Sequence, residues 1–468
     1  MTPTVNLVPL PVSMTAPASD PHTYDDEPSV TTKLDPGASE GPEGYRLRVD
    51  AGGALITASA PAGLFYGRQT LRQLTSQQPG RIDALEIVDH PRYAYRGMML
   101  DVVRHFHPLA TVKAVIDRMA LLKLNHLHLH LTDDQGWRIE ILSRPELTAK
   151  GSTSEVGGGP GGFYTQDEYR ELVQYASDRF ITVVPEFDIP GHTHAVSLAY
   201  PELMEKQAID PAVVEQAQSE GFALPVFGEP YTDCAVGHSS LMTSSPEVYE
   251  FVADVVRELA ALTPGPYLHL GGDEAHGTKE EDFISFMARA SRIAAATGKI
   301  LIGWHEMGTC RDLPAGTVGQ FWGLTDDDGR AGVPTRAFVE NGGTVILSPA
   351  DAIYLDMKYA LEDPIGLAWA NGPTSAKDSY DWEPDTLIDG IGGNDVLGIE
   401  APLWCETVGS LADIDWLTFP RVASAAEIAW SPRGGRSWDD FRGRLGAQAP
   451  IWRSEGIGFF ESPEIDWT

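Results

Sequence analysis

The sequence predicts an α/β protein: a (β/α)8 barrel, or TIM barrel, over residues 93–468, preceded by a small α+β domain over residues 1–92. Three observations carry this. Eight short apolar runs recur from Arg96 onward. Amphipathic stretches with apolar positions at three- and four-residue steps fall between several of them, the mark of βα units around a parallel sheet. Every run is followed by residues that do chemistry, as expected where barrel strands deliver side chains to one common mouth.

Taken in order, residues 1–92 mix β-type runs (Tyr45–Val49, Ala54–Ala58) with a helical stretch, Gly63–Leu74. His90-Pro91-Arg92 interrupts the pattern and marks the boundary, because proline restricts the residue before it. The strands expected beyond it are Gly97–Val102, His126–Leu131, Ile181–Phe187, Tyr267–Leu270, Ile300–Gly303, Val318–Phe321, Thr344–Leu347 and Val396–Ile399. The clearest helices are Leu109–Lys123, Gln166–Arg179, Pro246–Leu262 and Glu281–Ala296, the third begun by Ser245-Pro246. An open doubly wound sheet is the structural alternative, but no glycine-rich phosphate loop follows any strand. No short-period repeat is present.

The chain has 468 residues and a net charge of -33, from 67 acidic against 34 basic residues. That field disfavours binding to a phosphate backbone, so no nucleic acid partner is expected, and it suits neutral or cationic substrates. Three widely spaced cysteines, Cys234, Cys310 and Cys405, form neither a disulfide framework nor a Cys-x-x-Cys metal signature. The start of the chain lacks a basic region followed by a long apolar core, so no secretory signal is read; a cytoplasmic location is the expectation unless the sequence is a trimmed piece. No apolar run reaches membrane-spanning length, so no membrane association is expected.

The strand ends bring Arg104 and His105, Asp133 and Asp134, Asp188 and His192, Asp273 and Glu274, Trp304 and Glu306, Trp322, Tyr354 and Asp356, then Trp404 and Glu406. Carboxylates without a cysteine or serine nucleophile signature point to acid/base work on an acetal, and the tryptophans suit stacking on sugar faces. The run Tyr267-Leu-His-Leu-Gly-Gly-Asp273-Glu274 is central: an alternating strand stops at two glycines and presents two adjacent acids. Consecutive strand side chains point to opposite faces, so this pair is not expected to flank a scissile bond as the usual two carboxylates do.

Seven ordered motifs cover nearly the whole chain: Arg96-Gly-Met-Met-Leu-Asp-Val-Val-Arg104-His-Phe, Leu124-Asn-His-Leu-His-Leu-His-Leu-Thr-Asp133-Asp-Gln-Gly-Trp137, Pro185-Glu-Phe-Asp188-Ile-Pro-Gly-His192-Thr-His, His269-Leu-Gly-Gly-Asp273-Glu274, Gly303-Trp304-His-Glu, Tyr354-Leu-Asp356 and Trp404-Cys-Glu406. In these the chain resembles the family 20 glycoside hydrolases, the β-N-acetylhexosaminidases. The resemblance implies exo-acting, retaining, substrate-assisted release of terminal N-acetylglucosamine or N-acetylgalactosamine from chitooligosaccharides or glycan termini. It implies Glu274 as general acid and base, with a proton affinity raised toward neutrality. Asp273 is implied as an ionised carboxylate holding the acetamido N–H, with Tyr354 on the carbonyl oxygen. Trp304, Trp322 and Trp404 would box the acetamido group, Arg104, Asp356 and Glu406 would hold sugar hydroxyls, and Asp133 with His192 would back the general acid.

His126, His128 and His130 alternate on one strand but match no ligand set with an acidic or cysteine partner at metal spacing, so neither a metal nor a cofactor is expected. The segment from Pro201 to Asp233 is long and acidic, helical over Asp210–Ala217, and fits no family motif; it is expected to shape the aglycone side. Two rival readings remain. One is a family member releasing a disaccharide or a sulfated sugar, which Asp356 and Glu406 disfavour. The other is a carbohydrate-binding protein that has lost turnover, against which Asp273 and Glu274 argue.

Overall fold

A computed structural model describes residues 5–38, 40–206 and 209–467. The amino-terminal reading at residues 1–4, residue 39 in the small domain, residues 207–208 of the acidic segment and residue 468 lie outside the described residues.

The small amino-terminal unit is a five-stranded sheet ordered Ser13–Thr15, Leu85–Asp89, Tyr45–Asp50, Gly53–Ala58, Val30–Leu34. Strict alternation buries Tyr45, Leu47 and Val49 against the helix Pro61–Gln77 and sends Arg46 and Arg48 to solvent. Helix and sheet approach closely at Gly67, where a Cβ would run into Ile56 and the Tyr45 ring. Trp430, from the helix Arg421–Trp430, completes this core and donates its indole N–H to Asp89 Oδ1 at 2.9 Å. Lys123 crosses the same seam, 3.0 Å from Asp89 Oδ2, with its ammonium over the Trp430 ring. Two sequence-distant parts are thereby locked by buried, mutually satisfied polar groups.

The eight barrel strands are Tyr95–Asp101, His126–His130, Thr182–Glu186, Tyr267–His269, Ile300–Trp304, Val318–Phe321, Val345–Leu347 and Val396–Leu403. Each pairs in parallel with its neighbours, and the last pairs with the first, so the sheet closes. All eight expected runs are strands. The last runs four residues beyond its expected end because Glu400 interrupts the apolar pattern; that carboxylate is fully buried, bonded to Tyr95 Oη at 2.6 Å and Gln320 Nε2 at 2.7 Å. Helices Leu109–Leu121, Gln166–Ser177, Pro246–Leu262 and Glu280–Ala295 match the expected ones within two residues at each end. The Gln166–Ser177 helix opens on a capping box between Thr165 and Glu168.

On the second strand, Leu127 and Leu129 face the large helix-packed core, while His126, His128 and His130 alternate to the other side. The barrel interior is therefore unusually polar: His128, His130, Glu186, His269, Gln320 and Glu400 are all fully buried within it. Branched apolar residues more commonly fill this space.

Candidate active site

A cavity of about 630 Å³ opens at the carboxyl ends of the strands. Its lining includes Arg104, His192, Asp273, Glu274, Trp304, Trp322, Tyr354, Asp356, Trp404 and Glu406, so these sequence-selected residues do converge. Asp133, the other selected residue, is buried behind the wall.

Asp273 and Glu274 depart from the expectation for consecutive strand residues. The strand ends at His269; Gly271 (φ 62°) and Gly272 (φ 97°) then turn through the left-handed region, and Glu274 itself sits at φ 44°. A side chain at Gly271 would collide with the Asp188 carboxylate, and one at Gly272 with Met307. Asp188 Oδ1 secures the turn by accepting the Gly272 N–H at 3.0 Å. With strand geometry abandoned, both acids face the same imidazole: His192 Nε2 lies 3.6 Å from Asp273 Oδ2 and 3.5 Å from Glu274 Oε2.

His192 (φ 52°) donates from Nδ1 to Asp133 Oδ1 at 3.0 Å. Burial opposes its charge, but the carboxylates of Asp133, Asp273 and Asp188 outweigh burial and hold the imidazole well above its ordinary value. Asp133 is held well below the usual carboxylate range: burial pushes it up, and Arg104, His192 and a bond from His130 prevail. Asp273 goes the other way, pushed up to about 7 by burial against the pull of His192, with Glu306, Glu186 and Glu274 adding to the rise. The Asp273 carboxyl takes up a proton more readily than an exposed aspartate, because its site is nearly closed to solvent and shared with other acids.

At the far end, Arg104 spans two carboxylates, Nη2 on Asp133 at 2.8 Å and Nη1 on Asp101 at 3.3 Å, with its guanidinium 4.9 Å from the Trp404 ring centre. Asp101 also accepts the N–H groups of Val103, Arg104 and Cys405, tying the first strand's end to the last. Arg104 Nε, Asp356 Oδ2, Glu406 Oε2 and Asp273 Oδ1 are buried with no hydrogen-bond partner among the described residues. Buried polar atoms at a cavity wall are costly unless something bonds them, so this wall has unspent capacity to bond a polar ligand.

The aromatic wall is anchored from behind. Trp304 donates its indole N–H to Glu186 Oε1 at 3.0 Å, and Trp322 donates to Glu306 Oε2 at 3.0 Å. Rings of Trp304 and Trp404 lie 6.0 Å apart, and Tyr354 is buried beside Trp369 at 5.7 Å.

Several positions at or near the cavity were given no role by the sequence reading. Trp369, half exposed at the cavity and edge-on to Trp322, sits in a loop rather than at a strand end. Glu306 was visible only as one strand-end acid among many; burial pushes it up to about 7 and the charge of the nearby Glu274 adds to the rise, against the Trp322 indole bond, which pulls it down. The acidic segment does reach the cavity: its helix, Pro211–Glu220, is capped by Asp210 and stopped by Gly221, and Gln216, Glu220 and Phe222 line the wall with Cys234.

The strand histidines do not stand alone. Acidic partners do stand against them: Glu186 and Glu400 flank His128, and Glu186 and Asp133 flank His130. Glu186 and Glu400 come from the third and eighth strands and were invisible to local spacing, whereas Asp133 follows His130 by three residues. His128, Glu186 and His269 bring potential ligand atoms within 4.8 Å of one another, as do His130, Glu186 and Asp188. Much of their bonding capacity is already spent, since both His130 nitrogens are engaged by carboxylates.

Comparisons with known proteins place the chain in a family. The model described as "Glycosyl hydrolase family 20, catalytic domain" matches residues 93–433, and "Glycosyl hydrolase family 20, domain 2" matches residues 6–90. A beta-N-acetylhexosaminidase of Cellulomonas fimi is 40% identical over 453 residues, covering 95% of this chain and 86% of that one. A solved glycoside hydrolase family 20 beta-N-acetylglucosaminidase is 51% identical with a TM-score of 0.92, covering 99% of this chain and 100% of its own. A mutant Streptomyces plicatus beta-hexosaminidase in complex with its product, GlcNAc, is 41% identical with a TM-score of 0.91, covering 100% of this chain and 98% of its own. With the catalytic-domain match spanning most of a closed barrel and the second domain matching ahead of it, the chain belongs to glycosyl hydrolase family 20.

Proposed function

We propose that this glycoside hydrolase, an exo-acting β-N-acetylhexosaminidase, removes single terminal N-acetylglucosamine or N-acetylgalactosamine residues with retention, using the substrate's own acetamido oxygen as nucleophile. The observation that supports this most directly is the convergence of Asp273 and Glu274 on one imidazole. Two acids on the same side of the cavity do not make the opposed pair of a conventional double displacement. They do suit one acid for the leaving oxygen and one for an amide. The GlcNAc bound to the Streptomyces plicatus relative supports the gluco substrate.

In the first step the acetamido oxygen attacks the anomeric carbon while Glu274 gives its proton to the departing glycosidic oxygen, whose bond to that carbon breaks. Asp273, ionised, accepts the amide N–H and offsets the positive charge of the oxazolinium ring. Tyr354 donates to the acetamido oxygen, and Trp304, Trp322 and Trp404 exclude water, so these charge contacts act in a low-dielectric site. In the second step water attacks the anomeric carbon, Glu274 takes its proton, and the ring opens to give the β-sugar. Arg104, Asp356 and Glu406 hold the sugar hydroxyls, and Asp133 with His192 positions Glu274.

Proton NMR of the first-formed product tests this. Initial release of the β-anomer without any glycosyl adduct on an aspartate or glutamate is expected; an initial α-anomer or such an adduct overturns the reading.

A further inference from the structure

The site does not end at Asp133. Behind it, carboxylates and imidazoles alternate through the barrel interior: Glu400, His128, Glu186, His130, Asp133, His192, then the Asp273 and Glu274 carboxylates. The links are 2.8 Å from Glu400 to His128, 3.2 Å from His128 to Glu186, a short bond from Glu186 to His130, 2.6 Å from His130 to Asp133 and 3.0 Å from Asp133 to His192. Every member as far as His192 is buried, Glu186 and Glu400 completely.

Glu186 is the branch point. Its Oε2 receives His130 Nδ1 and faces His128 Nε2. Its Oε1 accepts the Trp304 indole N–H at 3.0 Å and faces His269 Nδ1 at 3.0 Å. One carboxylate from the third strand thus holds an indole that lines the sugar pocket with one oxygen, and the second strand's His130 with the other. His130 has each ring nitrogen on a different carboxylate, so both nitrogens must carry protons to be satisfied: the bonding pattern makes it an imidazolium.

We propose that Glu186 is a positioning residue for the reaction, keeping His130 cationic so that Asp133 stays fixed toward His192 and the general acid, while orienting Trp304 in the pocket. This rests on the assignment of Glu274 as the general acid.

The charges around the branch point come from every neighbouring element: His128 and His130 on the second strand, Asp133 after it with Arg104 bound to it, Asp188 after the third strand, His269 and Asp273 on and after the fourth, and Glu400 on the last. Burial works against the His130 charge, and Glu186, followed by Asp133, overcomes it and holds the imidazole well above its ordinary value. The sign follows. A neutral residue at position 186 leaves His130 with only one anionic partner, lowers its proton affinity and lets it discharge within the working pH range.

The test compares Glu186→Gln and Glu186→Asp with the parent enzyme on an aryl N-acetyl-β-glucosaminide and on chitobiose. Glu186→Gln is expected to lower kcat by roughly 10–10²-fold, the scale of a misplaced catalytic group. The loss should be larger on chitobiose, whose leaving group needs the proton, and the basic limb of kcat should move down by roughly one unit or more. Glu186→Asp, which keeps the anion, should retain the parent's basic limb. An equal loss on both substrates with an unmoved pH profile overturns the proposal. Glu274→Gln is run alongside: if it too lacks leaving-group dependence, the assignment of the general acid fails; if only Glu186→Gln lacks it, this inference alone fails. Should Glu186→Gln not fold, nitrogen-15 spectra of the histidine-labelled parent decide. A doubly protonated imidazole persisting past about pH 8 is expected, and uniformly neutral histidines there refute the proposal.

Discussion

Asp133 Oδ1 accepts the Nδ1–H of His192 at 3.0 Å, and the opposite ring nitrogen points toward the Asp273 and Glu274 carboxylates. The same aspartate is held by Arg104 and His130, so one buried anion ties Arg104, His130 and His192 together. Asp133→Asn should cost about 3–5 kcal/mol of stability, because it leaves buried cations without their partner. Urea unfolding measures this. The pH sign follows from the depressed proton affinity of Asp133: its contribution is present above the ordinary aspartate range, near 4, and disappears as pH falls through its lowered folded value. In the Asn variant that part of the acid destabilisation should vanish.

Glu274→Gln should leave product binding nearly intact and cut turnover by about 10²–10⁴-fold on substrates with poor leaving groups. Activated aryl leaving groups, which depart without a proton, should lose far less. Steady-state kinetics on the two substrate types check this, and equal losses count against Glu274 as the acid.

How much of this was legible in the chain depended on the range of each signal. The barrel strands were readable because their apolar runs are local, and Asp273, Glu274 and the tryptophans because they follow those runs directly. Glu400 hid the end of its own strand, since a buried carboxylate satisfied by Tyr95 and Gln320 looks in sequence like a surface residue. The shared direction of Asp273 and Glu274 was misread for a related reason. Two glycines announce freedom of backbone angle, and only the packing against Asp188 and Met307 selects which angles are used. Glu186 and Glu400 were out of reach because pairing with the third strand, and closure of the barrel onto the eighth, bring them to the second strand's histidines.

Arg104→Lys should raise KM and lower kcat together. The planar fork divides its donors between Asp133 and Asp101 while lying over Trp404, and a single flexible ammonium cannot keep these contacts at once. Near-parental kinetics in a folded variant would remove Arg104 from the sugar pocket.

The kcat/KM profile should show an acid limb near pH 7, since this ratio reports the free enzyme and burial pushes Asp273 up to about 7 there. Activity should fall as pH drops through that value, because the protonated carboxyl no longer offsets oxazolinium charge. In the kcat profile the limb should lie lower: an amide N–H and a developing cation beside Asp273 both favour its ionised form. Asp273→Asn should abolish the limb. Coincident acid limbs in kcat and kcat/KM would exclude Asp273 as their source.

If the nucleophile belongs to the substrate, weakening the acetamido oxygen should slow the reaction as directly as a mutation in the pocket. Stepwise fluorination of the N-acetyl group is expected to give a steep fall in kcat/KM, and the matching β-glucoside without an acetamido group should be essentially inert. Asp273→Ala should flatten the dependence. Without the carboxylate the amide is neither oriented nor electrostatically supported, so misplacement dominates the barrier and the basicity of its oxygen matters less. The alternative nucleophile is a protein carboxylate, and Asp273 and Glu274 are the acids nearest His192 in this cavity. Were either of them to attack the sugar, fluorination would leave the parent rate nearly unchanged, and the β-glucoside would be cleaved.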